Sequence, residues 1–572
     1  MDMRLLPKAK ERALQWLNGP YDRETQREIQ TLIDRGEKQA LIDAFYANIS
    51  FGTGGMRGVM GVGTSRLNRY TIHNATQGLV NYIHSQKIES PSIFISYDSR
   101  KNSRLFAEEA ARIVAGNKIK VFLTKKLRPT PFVSFCCRYH RCTAAIMITA
   151  SHNPPEYNGY KVYWSDGAQV VPPHDRGIID QVNKIESPDQ IRLAHLNSPL
   201  IHLVEGEDDA AYYDALLPLQ NFPKDNHDLG NNLHVVYSPL HGCGSTTLPE
   251  ALKRWGFTSL SFVESQMHPD GAFPTVHSPN PEQKEALKLG IEKLQKEKAD
   301  ILFVTDPDAD RIALVAMHQN APIVLSGNQI ASICLYYLCT TLSNQRALPK
   351  SAACATTVVT TELFCFIASS FNIPCFVLLP GFKYIGELIG KCKQHSILFS
   401  AEESLGFLYG THARDKDGTS AACLLAEIAL QQKKAGKTLV DLLDEIYGKF
   451  GPFREEQLSI PLDGGPQGKE KINALMENLR KTPPKEICGQ RVVIIEDYLN
   501  SEKKNLITKI HSKLSLPPSN ILVFRLLDNS KFVVRPSGTE PKIKLYGFSR
   551  SKEGERLSQC LQKLKNTYLS LA

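Results

Sequence analysis

Pro91 to Lys126 reads PSIFISYDSRKNSRLFAEEAARIVAGNKIKVFLTKK. The opening β-rich run ends in a polar loop. From Ser103 the spacing changes to that of a helix, with Phe106, Ala110, Ile113 and Val114 on one face and Gly116 closing it. IKVFLTKK is then a second strand. Strand, helix and strand in that order make an α/β unit. The order recurs at NLHVVYSPLHG (232–242), TLPEALKRWGF (247–257) and TSLSFVE (258–264). It recurs again at SAACATTVVTT (351–361), ELFCFIASSFN (362–372) and IPCFVLL (373–379). The first strands start about 140 and then about 120 residues apart, a domain-sized interval.

The last stretch differs. RVVIIEDY, NILVFRLLD, KFVVRP and IKLYGF are strands in quick succession, followed by the helical GERLSQCLQKLKNTYLSL. The expected architecture is three related α/β domains with mixed sheets plus a smaller C-terminal α+β domain. The expected boundaries are 1–205, with a helical N-terminal lead, then 206–323, 324–450 and 451–572. Linkers are expected near 188–208, 318–328 and 448–457.

The chain has 572 residues, 42% of them hydrophobic and 22% charged, and a net charge of +9. That is ordinary globular composition. No block of like charge suggests a nucleic-acid tail, and no apolar run reaches the roughly 18 residues of a membrane span. The amphipathic N-terminus lacks a signal peptide's apolar core. Thirteen cysteines, several in apolar runs such as ASICLYYLCTT, read as free buried thiols of a cytoplasmic protein. The cluster CCRYHRC (136–142) is too crowded for a zinc finger and has no second pair at finger spacing.

Four loops carry candidate chemistry. In TASHNPPEYNGYK (149–161), a strand delivers Ser151 to a loop stiffened by Pro154 and Pro155, and Asn158-Gly159 reads as a turn. A serine nucleophile needs activation, and His152 and Lys161 are local candidates for proton transfer. In FVTDPDADRIALV (303–315), Asp306, Asp308 and Asp310 alternate along an extended loop and can converge on a hard cation. An EF-hand reading fails, because Arg311 replaces the turn glycine and Met317 stands at the bidentate glutamate position.

In LFSAEESLGF (398–407), Glu402 and Ser404 face the same way if the segment is extended, suiting adjacent sugar hydroxyls. ARDKDGTSA (413–421) offers Lys416 to an anion. In FVVRPSGTEPKIKLY (532–546), Arg535 gives a planar donor for phosphate. Ser537, Gly538 and Thr539 have the composition of an anion nest. Arg57 lies among glycines in FGTGGMRG, Gly381 and Lys383 lie in PGFKYIGE, and SPLHGCGS is a further polar loop.

These four loops, in this order, resemble those of the α-D-phosphohexomutase superfamily, the phosphoglucomutases and phosphomannomutases, over about residues 45–550. The resemblance implies four domains around a central cleft and a phosphoryl group carried by Ser151. It implies Mg²⁺ on Asp306, Asp308, Asp310 and the phosphoserine oxygen, and glucose 1,6-bisphosphate as intermediate and activator. By motif, Glu402 and Ser404 hold the sugar, and Arg535, Ser537, Gly538 and Thr539 hold the non-reacting phosphate. Arg57, His152, Lys161, Arg311 and Lys416 match positive or proton-handling positions. Pro307 and Ala309, where the family usually has glycine, and PGFKYIGE resemble the branch that includes phosphopentomutases.

The expected partners are small sugar phosphates, without nucleic acid or membrane, for a monomer or weak homodimer. The expected reaction interconverts glucose 1-phosphate and glucose 6-phosphate. Pentose or mannose phosphates are the rival substrates, and a non-catalytic sugar-phosphate sensor is the rival class.

Overall fold

The structure is a computed structural model describing residues 3–49, 51–52, 55–462, 465–537, 542–550 and 554–571. Its contacts divide the chain into two compact units. One comprises Met1–Ala355 and Gly381–Leu442, the other Thr356–Pro380 and Leu443–Ala572.

The first unit opens with helices Leu6–Asn18, Arg23–Asp34 and Lys38–Phe45. They close on Trp16, Ile29, Phe45 and Tyr70. A mixed seven-stranded sheet follows, in the spatial order 51–52, 55–59, 157–164, 144–148, 92–97, 120–124 and 201–204. The strands at 144–148, 92–97, 120–124 and 201–204 run parallel. The run AAIMI is buried at every position, as a strand covered on both faces must be. Helix Ser103–Gly116 packs Phe106, Ala110 and Val114 against Ile93, Ile95 and Ile146 of that sheet. Fully burying one such isoleucine stabilises the fold by about 2 kcal/mol.

A second sheet has the order 321–325, 312–318, 301–305, 235–238 and 260–262. Strand Ile301–Thr305 lies parallel to Val235–Ser238 and antiparallel to Ile312–His318. Further on, Ala352–Ala355 pairs in parallel with Ser396–Ser400, and strand Ser396–Glu402 turns back antiparallel through Gly406–Tyr409. The chemistry-bearing loops follow the carboxyl ends of strands 92–97, 144–148, 301–305 and 396–402, where open α/β sheets place their ligands.

The second unit is built on an antiparallel sheet in the order 454–461, 542–549, 531–536, 522–526, 490–497, 502–505 and 511–513. Leu475 and Met476 of helix Gly465–Lys481 and Leu557 and Leu561 of helix Gly554–Leu571 cover Phe524, Phe532 and Leu545.

Four expectations need correction. The linker segments contain strands: Ile201–Val204 is the edge of the first sheet, Ala321–Leu325 the edge of the second, and Arg454–Pro461 the edge of the last. Edge strands face solvent on one flank, so their polar composition imitates a linker. Asn158-Gly159 is no turn; it lies inside strand Tyr157–Trp164, paired with Gly55–Val59. Glycine is needed there for close approach, since a Cβ would sit 2.4 Å from the Thr149 carbonyl oxygen. Not all cysteines are thiols, because Cys488 and Cys560 form a disulfide. Ser404 lies in the turn between strands and not in an extended segment, so it does not simply share the face of Glu402.

Candidate active site

Strand Ala144–Ile148 ends, and three residues later Ser151 takes φ +53°. That left-handed conformation costs a non-glycine residue about 1–2 kcal/mol. The surroundings hold it in place. Ser151 N donates to Thr149 Oγ1 at 2.8 Å. Arg100 Nη2 donates to the carbonyl oxygens of Ser151, at 2.6 Å, and of Asn153. Arg100 Nη1 donates to those of Pro154 and Tyr157, at 2.9 and 3.0 Å. One buried guanidinium therefore fixes the whole loop.

Asp98 compensates that charge, 3.3 Å from Arg100 Nε. It also accepts hydrogen bonds from Thr149 Oγ1 and Ser103 Oγ at 2.6 and 2.7 Å. The ring of Phe273 lies against the guanidinium, 5.0 Å from centroid to Cζ. Arg57 Nη1 donates to Asn153 Oδ1 at 2.9 Å from the neighbouring strand.

The second loop caps the hairpin between strands Ile301–Thr305 and Ile312–His318. Asp306, Asp308 and Asp310 are buried and each turns one carboxylate oxygen inward, the three oxygens lying within 4.8 Å of one another. Ala309 adopts φ +50°. Ser151 Oγ donates to Asp306 Oδ2 at 2.7 Å and lies 3.2 Å from His152 Nδ1. Lys161 Nζ donates to Asp308 Oδ2 at 2.7 Å and Asp310 Oδ2 at 3.1 Å. Thr130 Oγ1 donates to Asp308 Oδ2 at 2.6 Å. Lys416 Nζ lies 3.2 Å from Asp310 Oδ2.

The carboxylates are electrostatically unequal. Burial, then the charges of Asp308 and Asp310, pushes the Asp306 carboxyl well above the ordinary range. Burial acts against Asp310 too, but Lys161, Lys416 and Arg311 outweigh it and hold its carboxyl low. Burial opposes the charge of Lys161, yet Asp308 and Asp310 outweigh it and the ammonium is kept. Asp308 Oδ1 and Asp310 Oδ1 are buried without hydrogen-bond partners. Crowded carboxylates with unanswered oxygens fit a hard divalent cation, which takes oxygen ligands.

Glu402 ends strand Ser396–Glu402, buried, with Oε1 accepting from Gly381 N at 2.7 Å. Gly381 at φ +120° precedes helix Phe382–Lys391. The third loop meets the second directly: Ile312 N donates to the Leu405 carbonyl at 3.0 Å, and Gly418 N to that of Ala309 at 3.1 Å. Arg311 donates to Glu282 Oε1 at 3.2 Å.

Ser151, His152, Lys161, Arg57, the three aspartates, Arg311 and Lys416 are thus joined through one connected set of contacts, and Glu402 acts on it through its charge on Arg311 and Lys416. Lys383 is not drawn into that set; it is buried on its helix, facing the charges of Asp175 and Glu387. In the second unit, Arg535 donates through Nε and Nη2 to Tyr546 OH at 3.2 and 3.0 Å. Ser537 N donates to the Lys542 carbonyl. Gly538 and Thr539 lie outside the described residues.

Sequence reasoning missed Arg100, Asp98, Thr130 and Asp415. Asp415 accepts from Tyr163 OH at 2.9 Å and Gln169 Nε2 at 2.6 Å, and lies 3.1 Å from Lys416 Nζ, so it seats that ammonium. The available signal was an acid and a base two residues apart at the carboxyl end of a buried strand.

Family models match three segments. They are phosphoglucomutase/phosphomannomutase alpha/beta/alpha domain I at 48–189, domain II at 210–319 and domain III at 326–450. A phosphoglucomutase of Staphylococcus aureus (strain USA300) is 37% identical over 510 residues, covering 88% of this chain and 90% of its own. One of Staphylococcus haemolyticus is 36% identical over 519 residues, covering 90% and 93%. The crystal structure of parafusin, a phosphoglucomutase of Paramecium, in its open form, superimposes with TM-score 0.67 at 17% identity, over 92% of this chain and 95% of that one. A phosphoglucomutase/phosphomannomutase family protein of Burkholderia thailandensis gives 0.65 at 16%, over 91% and 98%. Among the described residues, no helix is long and apolar enough to cross a membrane.

Proposed function

Because the chain belongs to the phosphoglucomutase/phosphomannomutase family of α-D-phosphohexomutases, we propose that it interconverts glucose 1-phosphate and glucose 6-phosphate through a phosphoserine at Ser151. The curated relatives named phosphoglucomutase support glucose as the sugar. The observation that carries the chemistry is the 2.7 Å bond from Ser151 Oγ to Asp306, at the edge of the three-aspartate cluster.

Asp306, Asp308 and Asp310 would hold Mg²⁺ together with the phosphoserine. When bound, the ion supplies charge neutralisation for the transferring phosphoryl group. Lys161 and Lys416, kept protonated by the carboxylates around them, add fixed positive charge beside it. The bond from phosphorus to Ser151 Oγ breaks as a sugar hydroxyl oxygen forms its own bond to phosphorus. That hydroxyl releases its proton, and Ser151 Oγ gains one. His152 Nδ1, 3.2 Å from Ser151 Oγ, is placed to handle the serine proton.

Glucose 1,6-bisphosphate results and turns end for end, so that its other phosphate returns to Ser151. Glu402 and Ser404 would grip sugar hydroxyls during each half, with Gly381, Lys383 and Arg311 around them. Arg535, Ser537, Gly538 and Thr539 would seat the phosphate that is not reacting. The enzyme would act in the cytoplasm on small sugar phosphates, as a monomer or weak homodimer. Four domains divided near 205, 323 and 450 complete this reading.

The test is turnover of glucose, mannose and ribose 1-phosphates by the full chain, with and without glucose 1,6-bisphosphate, alongside intact-mass measurement. Glucose 1-phosphate is expected to lead, with phosphate on Ser151 and near-complete loss of turnover in S151A. Retained turnover in S151A would remove the nucleophile assignment. Equal or better use of ribose 1-phosphate would remove the sugar assignment.

A further inference from the structure

All four cysteines of the second unit lie in close pairs. Cys488 and Cys560 are already bonded. Cys365, on helix Glu362–Ser370, and Cys375, which opens strand Cys375–Leu378, hold their sulfurs 3.0 Å apart. The other nine cysteines belong to the first unit. Cys365 and Cys375 are each only half-buried. Cys365 also borders a cavity of about 470 Å³, walled by Thr356, Thr361, Phe366, Val377 and Arg525. Solvent and a small molecule can therefore reach this pair, unlike the deeply buried thiols at Cys136, Cys243 and Cys423.

We propose that Cys365 and Cys375 form a dithiol site that a small-molecule disulfide of the glutathione class oxidises to an intramolecular disulfide. The exchange runs through the two touching sulfurs, either of which can attack first. Cys365 and Cys375 share one S–H···S contact in which either sulfur can donate, and that contact, with burial, pushes the Cys365 thiol up. One thiol of the pair gives its proton to solvent. Its thiolate attacks one sulfur of the small disulfide, breaks that S–S bond and expels one small thiolate, which takes up a proton. The second protein thiol then releases its proton, attacks the protein sulfur of the mixed disulfide and expels the second small thiol. Two protein thiols are oxidised and one small disulfide is reduced to two thiols.

The pair sits where a new covalent bond would be felt. One turn before Cys365, Glu362 accepts from Arg525 Nη1 at 2.7 Å and lies 3.7 Å from Lys531 Nζ. Lys531 begins the strand Lys531–Pro536, which carries Arg535. Tying the helix to strand Cys375–Leu378 closes a short ring and restrains the backbone that bears Glu362.

The experiment treats the full-length protein with oxidised glutathione, alkylates the remaining thiols with iodoacetamide and maps them by mass spectrometry. The wild type is expected to lose alkylation at both positions and to yield a linked Cys365–Cys375 peptide two hydrogens lighter than its parts. C365S and C375S are each expected to keep a glutathione adduct on the cysteine that remains. Equal alkylation of Cys365 and Cys375 with and without oxidised glutathione would overturn the proposal. So would stable glutathione adducts on the wild type in place of the linked peptide.

Discussion

Arg100 donates through Nη2 to the carbonyl oxygen of Ser151 at 2.6 Å, and Nη1 and Nη2 also hold the carbonyls of Asn153, Pro154 and Tyr157 in the same loop. The guanidinium never touches the hydroxyl that would react. Its effect is to keep Ser151 in the left-handed conformation that aims Oγ at Asp306. Misplacing a reacting group by about 1 Å can cost about 100-fold in rate. A lysine has one donor centre for four carbonyls, so R100K is expected to lower kcat about 100-fold while KM for glucose 1-phosphate stays within about threefold. Steady-state kinetics decides it; a kcat within twofold of the wild type would remove Arg100 from the positioning of the serine.

The stretch around that pair also marks what the residues alone convey. Helical spacing at Phe106, Ala110, Ile113 and Val114 was legible because burial selects one face, and all four are buried. The alternating aspartates were legible because three close carboxylates need a positive partner. Arg100 was legible only as a base two residues from Asp98; its hold on the serine loop was not, since its partners there are backbone carbonyls about 50 residues away, which have no signature in residue type. Asn158-Gly159 misled for a related reason: glycine serves close backbone approach as well as turns. The edge strands at 201–204 and 454–461 misled because half their surface is meant for water. The Cys488–Cys560 pairing joins residues 72 apart, a separation no spacing rule predicts.

Acid should expose a second buried ion network. Glu109 accepts hydrogen bonds from His73 and Arg112, with Arg69 3.5 Å away. Burial opposes its ionisation, but the bond from His73 and the charges of His73, Arg69 and Arg112 outweigh it, taking its pKa from 4.5 to about 2. A carboxyl depressed in the folded state stabilises above its unfolded value, and that stability is lost as pH falls through the folded one. The wild type should therefore lose stability between about pH 4.5 and pH 2, and E109Q should lose less over that window. Denaturant midpoints across the range measure this; parallel pH profiles for the two proteins would contradict it.

Glu427 joins three segments through one carboxylate. It accepts from Asn221 N and Nδ2, Phe222 N, Asn226 Nδ2 and Tyr337 OH, all between 2.7 and 3.2 Å. It is fully buried on helix Gly418–Lys434. Removing it strands several buried donors, each costing about 1–3 kcal/mol if left unsatisfied. E427A is expected to destabilise by about 3–5 kcal/mol, the penalty of a broken buried network. E427Q keeps the shape and one acceptor, so a smaller loss is expected. Urea unfolding of both variants tests the ordering, and an E427A loss below about 1 kcal/mol would mean water replaces the carboxylate.

The aspartate cluster makes a prediction that needs no turnover. Asp308 Oδ1 and Asp310 Oδ1 are buried and lack hydrogen-bond partners, while Lys161 and Lys416 answer only the Oδ2 atoms. A divalent cation bound by the folded cluster and not by the unfolded chain stabilises the fold by about 2.7 kcal/mol at a hundredfold excess over its Kd. Magnesium should therefore raise the melting temperature of the metal-stripped protein, and excess chelator should reverse the rise. D308N removes one charge and one inward oxygen yet keeps the volume, so its melting temperature should no longer respond to magnesium. Leaving Lys161 less well compensated, the variant should also melt lower than the wild type without metal. An unchanged magnesium response in D308N would show that the ion binds elsewhere, and no response in the wild type would show that the lysines already satisfy the cluster.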